Sequence, residues 1–201
     1  MELTYSQACE NNKTAILEVL QRVFLQSKQV LEIGSGTGQH ALYFSANLPQ
    51  LTWQPSDLLI NHPSIIYRQE NEGSANLLPP LLLDLNEPWQ ASASLTKKVD
   101  GIFTANTLHI VSWVLVEKFF VGVAENLSAG GTLCIYGPFN YHGQYTSQSN
   151  ADFDLWLKDR DSNSAIRDFE KITELASSVG LSLIEDNTMP ANNRLLVFKL
   201  Q

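Results

Sequence analysis

Apolar residues recur at helical spacing from Ala15 to Phe24, and the chain then enters an unbroken apolar run, Val30 to Ile33, of buried-strand length. Helical spacing returns from Gln39 to Leu48, and "LTWQPSD", starting at Leu51, predicts a second strand. Leu81 to Leu83 predicts a third strand and Val99 to Ala105 a fourth. Ser112 is the expected cap of a long helix through Asn126, and "GGTLCIYGPF" from Gly130 reads as a strand entered by a turn. Two more helical stretches lie around Ala151 to Lys158 and Asp168 to Val179, while "HGQYTSQSN" from His142 to Asn150 is polar enough for a long exposed loop. The end, "LSLIEDNTMPANNRLLVFKL", is two β-rich runs about a Pro-Ala-Asn-Asn turn, hence an antiparallel hairpin. Strands alternating with helices at this spacing predict an α/β fold with a doubly wound, mostly parallel sheet. Such sheets take ligands at the carboxyl ends of their strands, near the topological switch.

The length of 201 residues suits one domain, 1–201, with a full core. No stretch approaches the roughly 20 unbroken apolar residues of a membrane helix, and "MELTYSQACENNK" lacks the basic start and apolar core of a secretory signal. Cys9 and Cys134 stand far apart, outside any metal-ligand spacing, so no metal is expected. A reducing, cytoplasmic setting fits this cysteine usage. The net charge of −8 argues against nucleic acid as a partner, since phosphate binding draws on clustered Lys and Arg.

The chemistry concentrates in "VLEIGSGTGQHALYF", where Gly34, Gly36 and Gly38 follow the first strand directly. Glycine lets backbone turn sharply and approach a ligand closely. A dinucleotide loop would place its third glycine where Gln39 stands, which disfavours a nicotinamide-dependent oxidoreductase, and no lysine follows the glycines as a mononucleotide P-loop requires. The order hydrophobic-Glu-Ile-Gly-Ser-Gly-Thr-Gly, spanning Glu32 and Ser35, resembles motif I of the class I S-adenosylmethionine methyltransferases. A ligand with a sulfonium and an ammonium but no phosphate matches a carboxylate without lysine. Asp57 closes the second strand, where an acid reaches ribose hydroxyls; the alternative is a cap for the following helix. Asp84 closes the third strand, either to accept from an adenine amino group beside the Leu85 amide or simply to form a turn before "NEPW".

A longer resemblance runs through "ENNKTAILEVL", "WQPSD", "ANTLHIVSW", "YGPFNYHGQYTSQSNADFDLWLKDRD", "IRDFE" and "MPANNRLLVFKL". With the glycine loop, these are similar to a family of predicted S-adenosylmethionine-dependent methyltransferases catalogued as domain of unknown function 938, or methyltransferase-like protein 26. The resemblance implies a Rossmann-like, seven-stranded class I sheet with its last strand antiparallel. It implies S-adenosyl-L-methionine as cofactor, S-adenosyl-L-homocysteine as product, and cofactor roles for Glu32, Gly34, Gly36, Gly38 and Asp57. It supplies no substrate. Asn11 stands where the family usually has Arg, and Ala165 where it usually has Gly.

Methyl transfer needs a base only when the acceptor carries a proton, as a hydroxyl does. His109, just beyond the fourth strand, is the candidate base, with local helix packing as its alternative. Asn106 either contacts the methionine end of the cofactor or the acceptor, or caps a turn. Tyr136 and Tyr141 either wall a substrate pocket, with Asn12 and Lys13 of the "ENNK" stretch, or pack in the core and at its rim. The stretch 141–167 is the expected substrate-recognition insertion. There Arg160, Arg167, Asp152, Asp154, Asp159 and Asp161 either shape the pocket or form a solvated helix face. The leading expectation is methyl transfer to a small molecule; the rival is a non-catalytic S-adenosylmethionine-binding module or partner subunit.

Overall fold

The computed structural model describes residues 3–89 and 97–201. Its strands are β1 (Gln29–Ile33), β2 (Thr52–Asp57), β3 (Leu81–Leu82), β4 (Val99–Ala105), β5 (Leu127–Gly137), β6 (Phe139–Asn140), β7 (Arg167–Asp168), β8 (Leu181–Met189) and β9 (Asn193–Leu200). The helices are α1 (Gln7–Val23), α2 (Gln39–Asn47), α3 (His62–Glu72), α4 (Trp113–Asn126), α5 (Gln148–Arg160) and α6 (Phe169–Ser178). A seven-stranded sheet runs in the order β3-β2-β1-β4-β5-β9-β8. β9 is antiparallel to β5 and to β8, and the other pairings in this sheet are parallel. The strand order reverses between β1 and β4, which is the switch point where a crevice opens. This is the doubly wound α/β sheet that the alternation predicts.

Side chains alternate across the sheet with period two. Val30, Phe103, Cys134 and Val197 face α1 and α2, where Ile16, Leu20 and Phe44 complete one core. Leu31, Ile102, Leu133 and Phe198 face α4 and α6, with Phe119, Phe120 and Ile172. α4 buries Val116, Phe119, Phe120 and Val123, a continuous helical face, and so clamps β4 and β5 from that side.

Several boundaries differ from the pattern. α1 begins eight residues before Ala15, at Gln7, because Ser6 caps it through a hydrogen bond from Cys9 N (3.3 Å). Ser112 does head α4, but its side chain makes no capping bond; its carbonyl accepts from Leu115 N and Val116 N instead. β5 starts at Leu127, before the Gly130 turn. α3 is a helix the pattern does not reveal, since its only large apolar buried side chain is Ile65.

The supposed loop 142–150 is shorter than its polarity suggests: Ser147 accepts from Asn150 N (3.1 Å) and starts α5 at Gln148. The whole excursion from β6 to β7 is then closed by their parallel pairing. Asp154, 1% exposed, locks it: one oxygen accepts from Ile166 N (2.6 Å), the other from Tyr145 Oη (2.6 Å) and Lys158 Nζ (2.6 Å). Asp154→Ala strands the buried Ile166 N–H and frees Tyr145 and Lys158, and is expected to lower the unfolding free energy by about 2 kcal/mol. Asp152→Ala, exposed on the same helix, should change it by less than about 0.5 kcal/mol. Urea denaturation measures both; equal effects would contradict the Asp154 lock.

Candidate functional site

The β1–α2 turn is pinned to the end of β2. Gly34 N and Ser35 N both donate to Ser56 O (3.0 Å each), and Ser56 N donates back to Ser35 Oγ (3.2 Å). Gly38 has φ +80°, and a Cβ there would lie 3.1 Å from Ile65 Cα of α3, so α3 packs directly on the turn. Gly36 has φ +54°, yet a Cβ there would meet nothing within 4 Å. Its glycine is required by conformation, and its open face is bare backbone.

Gln39 explains itself here. Its Oε1 accepts from Ser6 N (2.6 Å) and Thr37 Oγ1 (3.0 Å), and its Nε2 donates to Glu10 Oε1 (2.8 Å) and Ser6 O (3.3 Å). The residue that spoils a dinucleotide motif thus fastens the start of α1 to the glycine turn.

Two acids flank the turn. Asp57 is 9% exposed; Oδ2 accepts from Gly36 N (2.6 Å), and Oδ1 from Leu58 N (2.7 Å) and Asn61 Nδ2 (2.8 Å). The cap of α3 is Asn61, so Asp57 is not that helix's cap. Glu32 is 2% exposed, with Oε2 accepting from Trp53 Nε1 (2.9 Å). Burial pushes its carboxyl up to about 7 against the hydrogen bonds of Trp53 and Ser35, with the Asp57 charge adding to the rise. Among the described residues no lysine or arginine pairs with either acid. Asp84 accepts from Asn86 N (2.8 Å) and Asn86 Nδ2 (3.0 Å), the turn geometry that was its alternative reading. Leu85, 9% exposed, borders a separate hollow beside α4.

Across the switch point, the Thr104 hydroxyl lies 2.9 Å from Ile33 O and 2.8 Å from Thr107 Oγ1, coupling β4 to the glycine turn. Asn106 then adopts φ +56°, its N–H donating to Tyr136 O (2.9 Å), and redirects the chain outward. The following segment is stitched to the end of the β6–β7 excursion. Arg167 Nε donates to Leu108 O (2.9 Å), its Nη2 to Val111 O and Asn163 O, and Ala165 N to His109 O (3.0 Å). His109 is 5% exposed, and its ring has no hydrogen-bond partner among the described residues. Burial and then the Arg167 charge hold its imidazole down to about 4, hence neutral at pH 7.

A cavity of about 760 Å³ opens beside it, lined by Asn106, His109, Pro138, the start of α1 at Ser6 and Ala8, and one face of α5. Asn106 and His109 line it as expected, whereas Tyr136, Tyr141, Asn12 and Lys13 do not. Tyr136 is instead 3% exposed in the core, with Asn12 beside its hydroxyl, and Asn12 Oδ1 is 2.7 Å from His40 Nε2. Lys13 pairs with Glu10 over the Tyr43 ring. Tyr141 donates to Asp186 Oδ2 (2.8 Å) and stacks on Phe169. A position just after an apolar strand, or early in a helix, does not say which face its side chain takes. The charged set of 141–167 divides: Arg160 and Asp161 line the cavity, Asp154 and Arg167 are buried braces, and Asp152 and Asp159 are exposed. Phe153 and Trp156, which the sequence reading passed over, line the cavity with Arg160. Their signal was the i, i+3, i+7 spacing of one helix face.

The sheet order, the glycine turn and the acid at the end of β2 define a class I methyltransferase-like fold. Solved structures share it. An O-methyltransferase family protein from Burkholderia thailandensis superposes with a TM-score of 0.81 at 17% identity, over 94% of this chain and 56% of that one. An O-methyltransferase family 2 protein from Planctomyces limnophilus, in complex with apigenin, gives 0.82 at 16% identity, over 96% and 58%. NcsB1, an O-methyltransferase from neocarzinostatin biosynthesis in complex with S-adenosylmethionine and 2-hydroxy-5-methyl naphthoic acid, gives 0.78 at 15% identity, over 96% and 55%. The chain thus spans little more than half the length of these neighbours. Residues 3–200 match the family described as "Protein of unknown function (DUF938)", and the chain belongs to that family.

Glu32 gives the site a pH signature. A carboxyl near 4.5 when unfolded and about 7 when folded binds its proton more tightly in the fold, so stability falls as pH rises from about 4.5 to about 7 and is flat above. Glu32→Gln does not titrate. The ligand-free variant is expected to gain on the parent across that window, by up to about 3 kcal/mol, in urea denaturation between pH 5 and 8. A difference independent of pH would contradict a buried, unpaired carboxyl.

Proposed function

We propose that the chain is an S-adenosylmethionine-dependent methyltransferase acting on a small-molecule acceptor. The observation that carries this reading is one juxtaposition at the switch point. Thr107 lies against Gly34 of the bare glycine turn with its two acids, and its neighbour Asn106 lines the 760 Å³ cavity with neutral His109. The residues suit the cofactor. Buried Glu32 lacks a cationic partner, which an ammonium supplies; Asp57 presents a carboxylate beside an open backbone cradle; and the turn offers no lysine for a phosphate.

S-Adenosylmethionine, when bound, supplies a methyl group on a positively charged sulfur and leaves as S-adenosylhomocysteine. Asp57 would accept from ribose hydroxyls with the lone pairs that Gly36 N, Leu58 N and Asn61 Nδ2 leave free. Gly36 allows close approach of the nucleoside, and Glu32 balances the ammonium from beneath the turn. Asn106, in the cavity wall, orients the acceptor. His109 receives the acceptor's hydroxyl proton. The start of α1, held by Gln39, and α5 keep water from the reacting atoms. Positioning of this kind contributes about 7–11 kcal/mol in favourable cases.

Residues 141–167 act as the acceptor-recognition segment, supported by the contribution of α5 to the cavity wall. Asp84, whose Oδ2 the Asn86 turn leaves free, and the backbone amide of Leu85 are assigned to the adenine edge on their place beyond β3, with Ser35 supporting the turn. A cytoplasmic location and independence from nucleic acid draw on the charge of −8 and on two free cysteines. No described helix is long and apolar enough to cross a membrane, and no described group of three or more His, Cys, Asp or Glu is placed to hold a metal.

Mass spectrometry of a cell extract incubated with the pure protein and methyl-labelled cofactor should reveal a small molecule that gains the label. Binding of the cofactor with no labelled product would favour the non-catalytic module. His109→Ala should then lower turnover of that product by roughly 10²–10⁴-fold while S-adenosylhomocysteine binds as in the parent. Because the imidazole stays in its base form down to about pH 4, the parent's turnover should not lose the His109 contribution between pH 8 and 6. Loss of cofactor binding in the variant would instead make His109 a cofactor contact.

A further inference from the structure

Phe153, Trp156 and Arg160 project from one face of α5 into the cavity and continue inward to His109 as a single ladder of rings. His109 meets Phe153 edge to face, with centroids 5.5 Å apart at 72°. Phe153 stacks on Trp156 at 5.6 Å and 19°, and the Arg160 guanidinium lies 4.6 Å from the Trp156 ring. The ladder therefore runs from a buried imidazole to an exposed cation. Trp156 keeps 49% of its surface exposed, so its indole contributes little to the core.

Arg160 forms no ion pair or hydrogen bond with any described residue, and its partner is the Trp156 ring. Asp161 also lines the cavity, but its Oδ1 is spent on Asn163 N (2.9 Å) and Asn163 Nδ2 (3.1 Å), and it is not paired with Arg160. In a chain of net charge −8, an unpaired guanidinium at the end of an aromatic wall selects for an anion that is also flat. Stacking on Trp156 holds the guanidinium plane in place, which favours two-point contact with a carboxylate. The volume of about 760 Å³ accommodates a molecule of one or two fused rings beside the cofactor's reacting end.

The geometry points to a small planar aromatic hydroxy acid as the acceptor, its ring against Phe153 and Trp156, its carboxylate at Arg160 and its hydroxyl at the opposite end, toward His109. This deepens the methyl-transfer reading and rests on it for the direction of the hydroxyl. An aromatic lacking the acid keeps the stacking and loses the charge-assisted contact. An acid with both groups on one edge of the ring reaches Arg160 or His109 but not both.

The test uses the full chain, saturated with S-adenosylhomocysteine and also without it, titrated calorimetrically with 6-hydroxy-2-naphthoate and with 2-naphthol. The parent should bind the naphthoate at least about tenfold more tightly than the naphthol. Arg160→Gln, at an exposed position, should erase that preference and leave naphthol affinity unchanged. Trp156→Ala should weaken both ligands by about fivefold. No preference for the acid in the parent, or a preference that survives Arg160→Gln, would overturn the assignment. The outcome is separable from the methyltransferase reading, which binding of S-adenosylhomocysteine alone addresses. If that cofactor binds and neither aromatic does, the acceptor class falls while the cofactor reading stands. If the naphthoate binds with the predicted preference and the cofactor does not, the reverse holds.

Discussion

Gly36 N donates to Asp57 Oδ2 at 2.6 Å, and around that hydrogen bond the ends of β1 and β2 and the start of α2 are assembled. The bond is possible only because the turn runs through positive φ at Gly34, Gly36 and Gly38, which folds the backbone back onto β2. Ser56, one residue earlier, binds two amides of the same turn, so the strand end and the turn form one rigid piece. α3 packs on it at Gly38, and Gln39 extends it to the start of α1. The same carboxylate that organises the turn is the acid assigned to the ribose.

Burial pushes several groups around this piece toward their neutral forms. Glu32 is a carboxyl lifted to about 7, bonded by Trp53 Nε1 and paired in the sheet with Phe103, and His40 is an imidazole lowered to about 4 that stacks on Phe44. Retaining an acid there costs the ligand-free fold stability above about pH 5, a cost that the proposed cationic ligand would offset. His109 is likewise kept neutral by burial and by Arg167, whose guanidinium is spent on backbone carbonyls. The arrangement favours ligand binding over stability of the empty protein.

Much of the frame was legible because it is punctuated. β1, β4 and β5 are apolar runs met by glycines or a polar turn, and β8 and β9 are separated by Pro-Ala-Asn-Asn. Gly34, Gly36, Gly38, Asp57, Asn106 and His109 stand at strand ends, where topology alone brings them to the switch point. What escaped notice depends on long-range packing. α3 buries little and so carries no strong pattern, and the first turns of α1 are polar because Glu10 and Asn12 face Gln39 and His40 rather than the apolar core. Tyr141 and Lys13 were placed by proximity in sequence, yet their side chains turn to Asp186 and Glu10. The α5 face was written in the sequence at helical spacing, but its destination is set by Asp154 gripping Ile166 and Tyr145, contacts that no local pattern contains.

The most direct measurement is a calorimetric titration of S-adenosylhomocysteine into the parent and into Asp57→Asn, with the melting temperature of each ligand-free protein recorded alongside. The amide must turn its Nδ2 toward either Gly36 N or the Leu58 N and Asn61 Nδ2 donors, so the variant loses an anchor of the turn together with the charged ribose acceptor. The account predicts one site per chain in the parent, an affinity at least about tenfold weaker in the variant, and a lower melting temperature for the ligand-free variant, since one donor of the turn is left unpaired. Equal affinity in the two proteins, or no binding in the parent, would contradict it.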